Sequence, residues 1–187
     1  MKRIIIIDGN AIIHRAYHAI PPMTTKSGVM VNAVYGFTSM LLKVWKDLQP
    51  NCIAVTFDMA GPTFRHVKYE KYKATRVKAD QDLYDQIPAV HEVVESFGLP
   101  IYQMKGYEAD DVIGTIVEKI RNPKSEIRND SEVFIVTGDM DTLQLVQDNV
   151  KIYTLRKGMS DVVIYDAEEV KKRFGFGPEK MIDYKAL

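Results

Sequence analysis

The 187-residue sequence predicts an α/β fold, a doubly wound and mostly parallel central sheet with helices on both faces. Three observations carry that reading. Short apolar runs rich in β-branched residues recur at residues 4–7, 52–57 and 133–136, without a polar alternate face, as buried parallel strands do. The stretches between them carry apolar residues at helical spacing. Each run also ends at or near an aspartate (Asp8, Asp58, Asp139), where open sheets of this class bind ligands.

In chain order, the four isoleucines 4–7 make the first strand, and Asp8-Gly9-Asn10 ends it. Asn10 is placed to cap a helix over 11–19 that turns Ile12, Ile13, Ala16 and Tyr17 inward and stops at Pro21-Pro22. A second helix over 31–47 carries Val34, Phe37, Leu41, Leu42 and Trp45, with Trp45 expected in the core. Strand 52–57 follows. The single cysteine, Cys52, lies within it and is expected as a small buried hydrophobe; no disulfide within the chain is possible. Leu83, Ile87, Val90, Val94 and Phe97 mark an amphipathic helix that Pro88 should kink and Gly98 close. A short strand over 99–103 leads through Gly106 into the apolar helical run Val112, Ile113, Ile116, Val117, Ile120. Residues 122–132 read as a polar surface loop and 133–136 as the next buried strand, followed by a helix bearing Leu143, Leu145 and Val146. Runs 150–155 and 162–165, joined around Lys157-Gly158, form an edge hairpin. Asp166 caps a last clear helix, with Glu169 set for a capping box and Gly175 for the stop, and Pro178 starts one more.

Lysine plus arginine equal aspartate plus glutamate at 25 each, so only local charge asymmetry can steer a partner. The strongest asymmetry spans residues 64–78, where Arg65, Lys68, Lys71, Lys73, Arg76 and Lys78 face one acid, Glu70, with Tyr69 and Tyr72 interleaved. Cations for phosphates and rings for unstacked bases suit single-stranded nucleic acid; a solvated helix face is the competing reading. The N-terminus reaches Asp8 too soon for a signal-peptide core, and no 18-residue apolar run follows. The expectation is a cytoplasmic monomer without a membrane partner.

Glu108-Ala109-Asp110-Asp111 opens the apolar helical run, crowding three carboxylates into one turn. Such a turn either complements the helix dipole or holds a cation. Together with the strand-end acids Asp8, Asp58, Asp139 and Asp141, seven carboxylates can converge on one crevice. Hard oxygen ligands without a histidine or cysteine cluster indicate Mg²⁺, with Mn²⁺ as a substitute, rather than zinc. No glycine-rich phosphate loop is present, which argues against a nucleotide-binding enzyme. A pair of divalent ions is the usual clamp for phosphodiester hydrolysis. Read from the residues, this is a metal-dependent nuclease acting on unpaired nucleic acid.

Asp8-Gly9-Asn10, Phe57-Asp58, Gly61-Pro62-Thr63-Phe64-Arg65, Tyr72-Lys73-Ala74-Thr75-Arg76, Gly106-Tyr107-Glu108-Ala109-Asp110-Asp111 and Thr137-Gly138-Asp139-Met140-Asp141 together resemble the 5'-to-3' exonuclease domains of bacterial DNA polymerase I, as does Asn32-Ala33-Val34-Tyr35-Gly36-Phe37. The likeness covers the whole chain in order. It implies the flap endonuclease superfamily and a PIN-like fold with a basic arch over about 64–80. It also implies hydrolysis of DNA at 5' flaps or 5' ends by two metal ions, in replication and repair, with a polymerase domain on the same full-length chain. By that resemblance Asp8, Asp58, Glu108 and Asp110 form one metal site, and Asp111, Asp139 and Asp141 belong to the second. Lys73 and Arg76 match the catalytic basic pair of the arch, Tyr72 its aromatic neighbour, and Arg15 a phosphate-contacting arginine; Arg65, Lys68, Tyr69, Lys71 and Lys78 are expected to hold DNA.

Two departures stand out. Met140 occupies a position where many relatives carry lysine, and the sequence stops at Leu187, before the Gly-Asp-Ser-Ser-Asp-Asn stretch and the helix-hairpin DNA-binding module expected of the family. The expectation is a single nuclease domain, 1–187, with weak second-ion binding. A non-catalytic DNA-binding module of the same fold and a PIN-type ribonuclease remain as alternatives.

Overall fold

The computed structural model describes residues 1–75, 79–122, 124–125, 130–156, 158 and 161–187. The elements run β1 (Lys2–Asp8), α1 (Gly9–Ala19), α2 (Asn32–Leu48), β2 (Cys52–Thr56), α3 (Phe64–Lys68), α4 (Gln81–Tyr84), α5 (Ile87–Ser96), β3 (Ile101–Tyr102), α6 (Ala109–Arg121), β4 (Ser131–Val136), β5 (Val150–Leu155), β6 (Val162–Tyr165), α7 (Ala167–Phe174) and α8 (Met181–Ala186). Short 3-10 helices at Met140–Leu145 and Pro178–Lys180 complete them.

One six-stranded sheet has the order β3-β2-β1-β4-β5-β6, parallel throughout except for β6, which returns antiparallel along β5. β1 is central, pairing Ile7 with Val55 on one side and with Val136 on the other. The order reverses between β1 and β4, the kind of point beyond whose strand ends open α/β sheets bind ligands. Alternate side chains of each strand serve opposite cores. Ile5 and Ile7 pack with Ile12, Phe37, Leu41, Val44, Val90 and Val94 beneath α1, α2 and α5. Ile6 packs with Ile113, Val117, Ile135, Leu143 and Val170 beneath α6, α7 and the 3-10 helix. This two-sided burial is why the strand runs lack polar alternation.

Several local expectations are corrected. Cys52 is exposed, because β2 enters the sheet at that residue and becomes buried only from Ile53. Trp45 is 43% exposed and, with Leu42, lies on the outer side of α2, where it rests against Phe97. Pro88 does not kink one helix; it sits in the first turn of α5, a separate element from α4, where its missing N–H is harmless. The strand at 99–103 shrinks to Ile101–Tyr102, and the helix after β4 is a 3-10 turn. Asp8, not Asn10, caps α1, accepting from Ala11 N. The hairpin forms as expected, although Lys157 of its turn lies outside the described residues, as do 123 and 126–129 of the 122–132 loop, whose last two residues belong to β4. Asp166 accepts from Glu169 N to cap α7, and Gly175 closes it at φ 83°. Among the described residues no helix is long and apolar enough to cross a membrane.

Candidate metal centre

Asp8 ends the central strand and is only 3% exposed. Its two oxygens accept from Ala11 N (3.0 Å) and Thr137 Oγ1 (2.8 Å). Burial nevertheless lifts its pKa to about 6, opposed by those two hydrogen bonds and reinforced by the charges of Asp58 and Asp139. Asp58, one residue beyond the buried ring of Phe57, receives the Ala109 N–H at 2.7 Å, and its own N–H donates to Asn10 Oδ1 at 2.9 Å. Asn10 thus holds the β2 turn instead of capping α1, and Asp58 ties that turn to the first residue of α6. Gly9 permits the approach, since a β-carbon there would overlap the Phe57 ring.

Glu108 is the N-cap of α6 and Asp111 its N3 partner, each side chain accepting the other's backbone N–H in a capping box. Asp110, between them, has no hydrogen bond to its carboxylate among the described residues, and its pKa rises to about 7 through burial and then the charges of Asp8, Asp139, Asp58 and Glu108. That mutual repulsion identifies five carboxylates sharing one space: Asp8, Asp58, Glu108, Asp110 and Asp139.

Asp111 and Asp141 stand apart from the five. Arg65 of α3 clasps Asp111 with two hydrogen bonds of 2.6 and 2.7 Å, which hold this carboxyl below the usual aspartate range. Lys185 of α8 pairs with the half-exposed Asp141 at 2.6 Å. A cleft of about 530 Å³, lined in part by Asp110, Asp111, Thr115, Glu118, Asp141 and Gln144, opens between α6 and the 3-10 turn.

Three residues of the basic segment after Thr63 meet Glu108. Lys73 Nζ lies 3.0 Å from both of its oxygens, Tyr72 OH donates at 3.2 Å, and Arg65 approaches to 4.0 Å. Lys73 sits at φ 53°, a left-handed conformation that L-residues adopt at a cost and that recurs at functional sites. Lys68, Tyr69 and Lys71 point outward and are exposed, whereas Arg76 and Lys78 lie outside the described residues. Arg15 is turned to structural use, with its guanidinium donating to the carbonyls of Leu155 (3.5 Å) and Arg156 (3.1 Å) beyond β5. Its Nε is buried without a partner.

Two residues in this network were not candidates from the sequence. Thr137 and Asn10 bear no charge, and each joins two acid-bearing turns; the only trace in the sequence is a hydroxyl or amide side chain within two residues of a strand-end aspartate. As they stand, no three of the acids among the described residues are gathered as ligands of one ion. The donor set nevertheless suits a divalent cation. The ligands are hard oxygens, and the repulsion that raises the proton affinity of Asp8 and Asp110 is what a 2+ ion relieves.

Residues 3–175 match the family described as "5'-3' exonuclease, N-terminal resolvase-like domain". The chain is 38% identical over 186 residues to DNA polymerase I of Bacillus subtilis and 40% over 187 residues to that of Caldicellulosiruptor bescii, covering 100% and 99% of itself. It covers 20% and 21% of those proteins, so it spans about a fifth of the length of the curated relatives it matches. Its fold is similar to that of the T5 5'-exonuclease crystallised with zinc (TM-score 0.75, 18% identity, 100% of this chain and 66% of that one). A bacteriophage T5 flap endonuclease complex with DNA and metal ions is also similar (TM-score 0.72, 17% identity, 97% and 64%). Both likenesses concern the fold.

Proposed function

Because the chain belongs to the 5'-3' exonuclease N-terminal resolvase-like domain family, which its match over residues 3–175 shows, we propose that it is the nuclease domain of a DNA-processing enzyme, hydrolysing phosphodiesters at 5' flaps and 5' ends with Mg²⁺. The observation that carries this reading is the convergence of Asp8, Asp58, Glu108, Asp110 and Asp139 at the switch point of the sheet, with the pKa values of Asp8 and Asp110 raised to about 6 and about 7 by burial and by their neighbours' charge. These five would hold the principal cation, with Mn²⁺ able to replace Mg²⁺. Asp111 and Asp141 would join a second only by exchanging Arg65 and Lys185 for it.

Bound divalent cations supply an activated water and stabilise charge on the attacking and leaving oxygens. The chain's own groups do the rest. Lys73 and Arg76 on the arch stabilise charge at the scissile phosphate, and Tyr72 shapes the wall beside it. Lys68, Tyr69, Lys71 and Lys78 draw the single-stranded 5' end beneath the arch, cations on phosphates and rings on bases. Arg65 contributes chiefly by fixing the first turn of α6. Arg15 reaches a phosphate only if it leaves the two carbonyls that hold it. Residues 1–187 act as one domain, with a polymerase region of the full-length protein as the covalent partner.

The test is cleavage of a labelled 5'-flap DNA and its nicked-duplex counterpart by the chain, in Mg²⁺, in Mn²⁺ and in chelator, alongside Asp8→Asn and melting scans in the same buffers. Metal-dependent release of short 5' products, lost in Asp8→Asn, is expected, together with a melting temperature raised by metal. An ion stabilises by about 2.7 kcal/mol at a hundredfold excess over its Kd. Identical melting with and without metal, and no cleavage in either, would overturn the assignment.

A further inference from the structure

We infer that Thr137 is a positioning residue for the metal centre, its one hydroxyl holding the acid-bearing ends of β1 and β4 at a fixed separation. The inference rests on the function proposed above. Thr137 is fully buried and follows β4 directly. Its backbone N–H donates to the Tyr153 carbonyl at 3.2 Å, extending the β4–β5 ladder and fixing the Cα. Branching at Cβ restricts the rotamer in turn. The hydroxyl therefore has little freedom.

Both of its hydrogen-bonding capacities are used. The Asp139 N–H, which can only donate, reaches Oγ1 at 2.9 Å, and the single hydroxyl hydrogen then goes to Asp8 Oδ2 at 2.8 Å. The result is a short polarised chain running from the Asp139 amide through Thr137 to the Asp8 carboxylate. With Ala11 N on Oδ1, each oxygen of Asp8 has one fixed donor, so the plane of the carboxylate is set before any cation arrives. Asp8 and Asp139 repel each other, and the hydroxyl is the bridge that holds them side by side despite that. Partners that orient a metal ligand typically account for 10- to 100-fold in metal affinity.

The experiment compares the parent chain with Thr137→Val, Thr137→Cys and Thr137→Ser, reading the Mn²⁺ dissociation constant by titration calorimetry and the melting temperature in chelator. Valine keeps the volume and removes both hydrogen bonds. Cysteine weakens both with little change in size, and gives the same contrast if the valine variant does not fold. Serine restores them. The expectation is a Kd weakened roughly 10- to 100-fold in Val and Cys and within about threefold of the parent in Ser. Equal Kd values in the parent and a folded Val or Cys variant, with only the melting temperature lowered, would reduce Thr137 to a structural residue and overturn the inference. So would a Ser variant as weak as Val. A parent chain that binds no Mn²⁺ would overturn the proposed function itself, and this inference with it.

Discussion

Replacing Asp110 by asparagine should make the metal-free protein more stable, and the gain should depend on pH. The folded state lifts this carboxyl from 3.8 to about 7, because it is largely buried and faces Asp8, Asp139, Asp58 and Glu108. A tenfold change in proton affinity corresponds to 1.36 kcal/mol, so ionised Asp110 costs about 4 kcal/mol before screening. The side chain is partly open to water, which leaves roughly 2 kcal/mol. The sign follows from linkage. A carboxyl whose folded pKa is raised leaves the fold unpenalised below 3.8, and the stability is lost progressively as pH rises to about 7. Asp110→Asn should therefore gain roughly 2 kcal/mol at pH 8, less than half of that at pH 5 and almost nothing near pH 4. For a domain of this size that is a rise in Tm of roughly 4–8 °C at pH 8. Urea denaturation in chelator at the three pH values measures it. A destabilised variant, or a gain that does not shrink with acid, would refute the claim that Asp110 is held against its neighbours' charge.

Other consequences are equally direct. Lys73→Ala should lower flap cleavage by on the order of 10²–10³ while shifting the urea midpoint little, since an ion pair whose lysine is exposed to water stabilises weakly; parental turnover would remove Lys73 from the chemistry. Gly9→Ala should cost roughly 1–3 kcal/mol in urea, because the new methyl overlaps the Phe57 ring, itself stacked on His91 at 4.0 Å; an unchanged midpoint would contradict that packing. Cys52 should react with a maleimide in the native state without loss of the melting transition, whereas a buried thiol would react only on unfolding.

The architecture was legible because buried parallel strands and amphipathic helices impose distinct periods, and because turn-forming and capping residues punctuate them. The failures have physical causes. Cys52 and Trp45 are apolar residues at the start of a strand and on the outer side of a helix, where the period names a face but not whether anything covers it. Pro88 marks a discontinuity that a helix start satisfies as well as a kink does. At the site, the sequence located every strand-end acid but could not divide them. Asp111 and Asp141 are set apart from Asp110 above all by Arg65 and Lys185, which lie 46 and 44 positions away in the chain and meet them only in the folded protein. Thr137 was invisible for a related reason, since its partner Asp8 is 129 positions distant.

That span bears on biosynthesis. β1 is the first strand made, yet one of its two neighbours, β4, comes from residues 131–136. At about 5–20 residues per second, a ribosome needs on the order of ten seconds to supply it. Until then the isoleucines of β1 have one flank unpaired and Asp8 has no Thr137 to receive, so the acids remain scattered along an open chain. Docking of β4 beside β1 and assembly of the acid cluster are one event. On the function proposed above, a nascent copy has no assembled metal centre until β4 has docked beside β1.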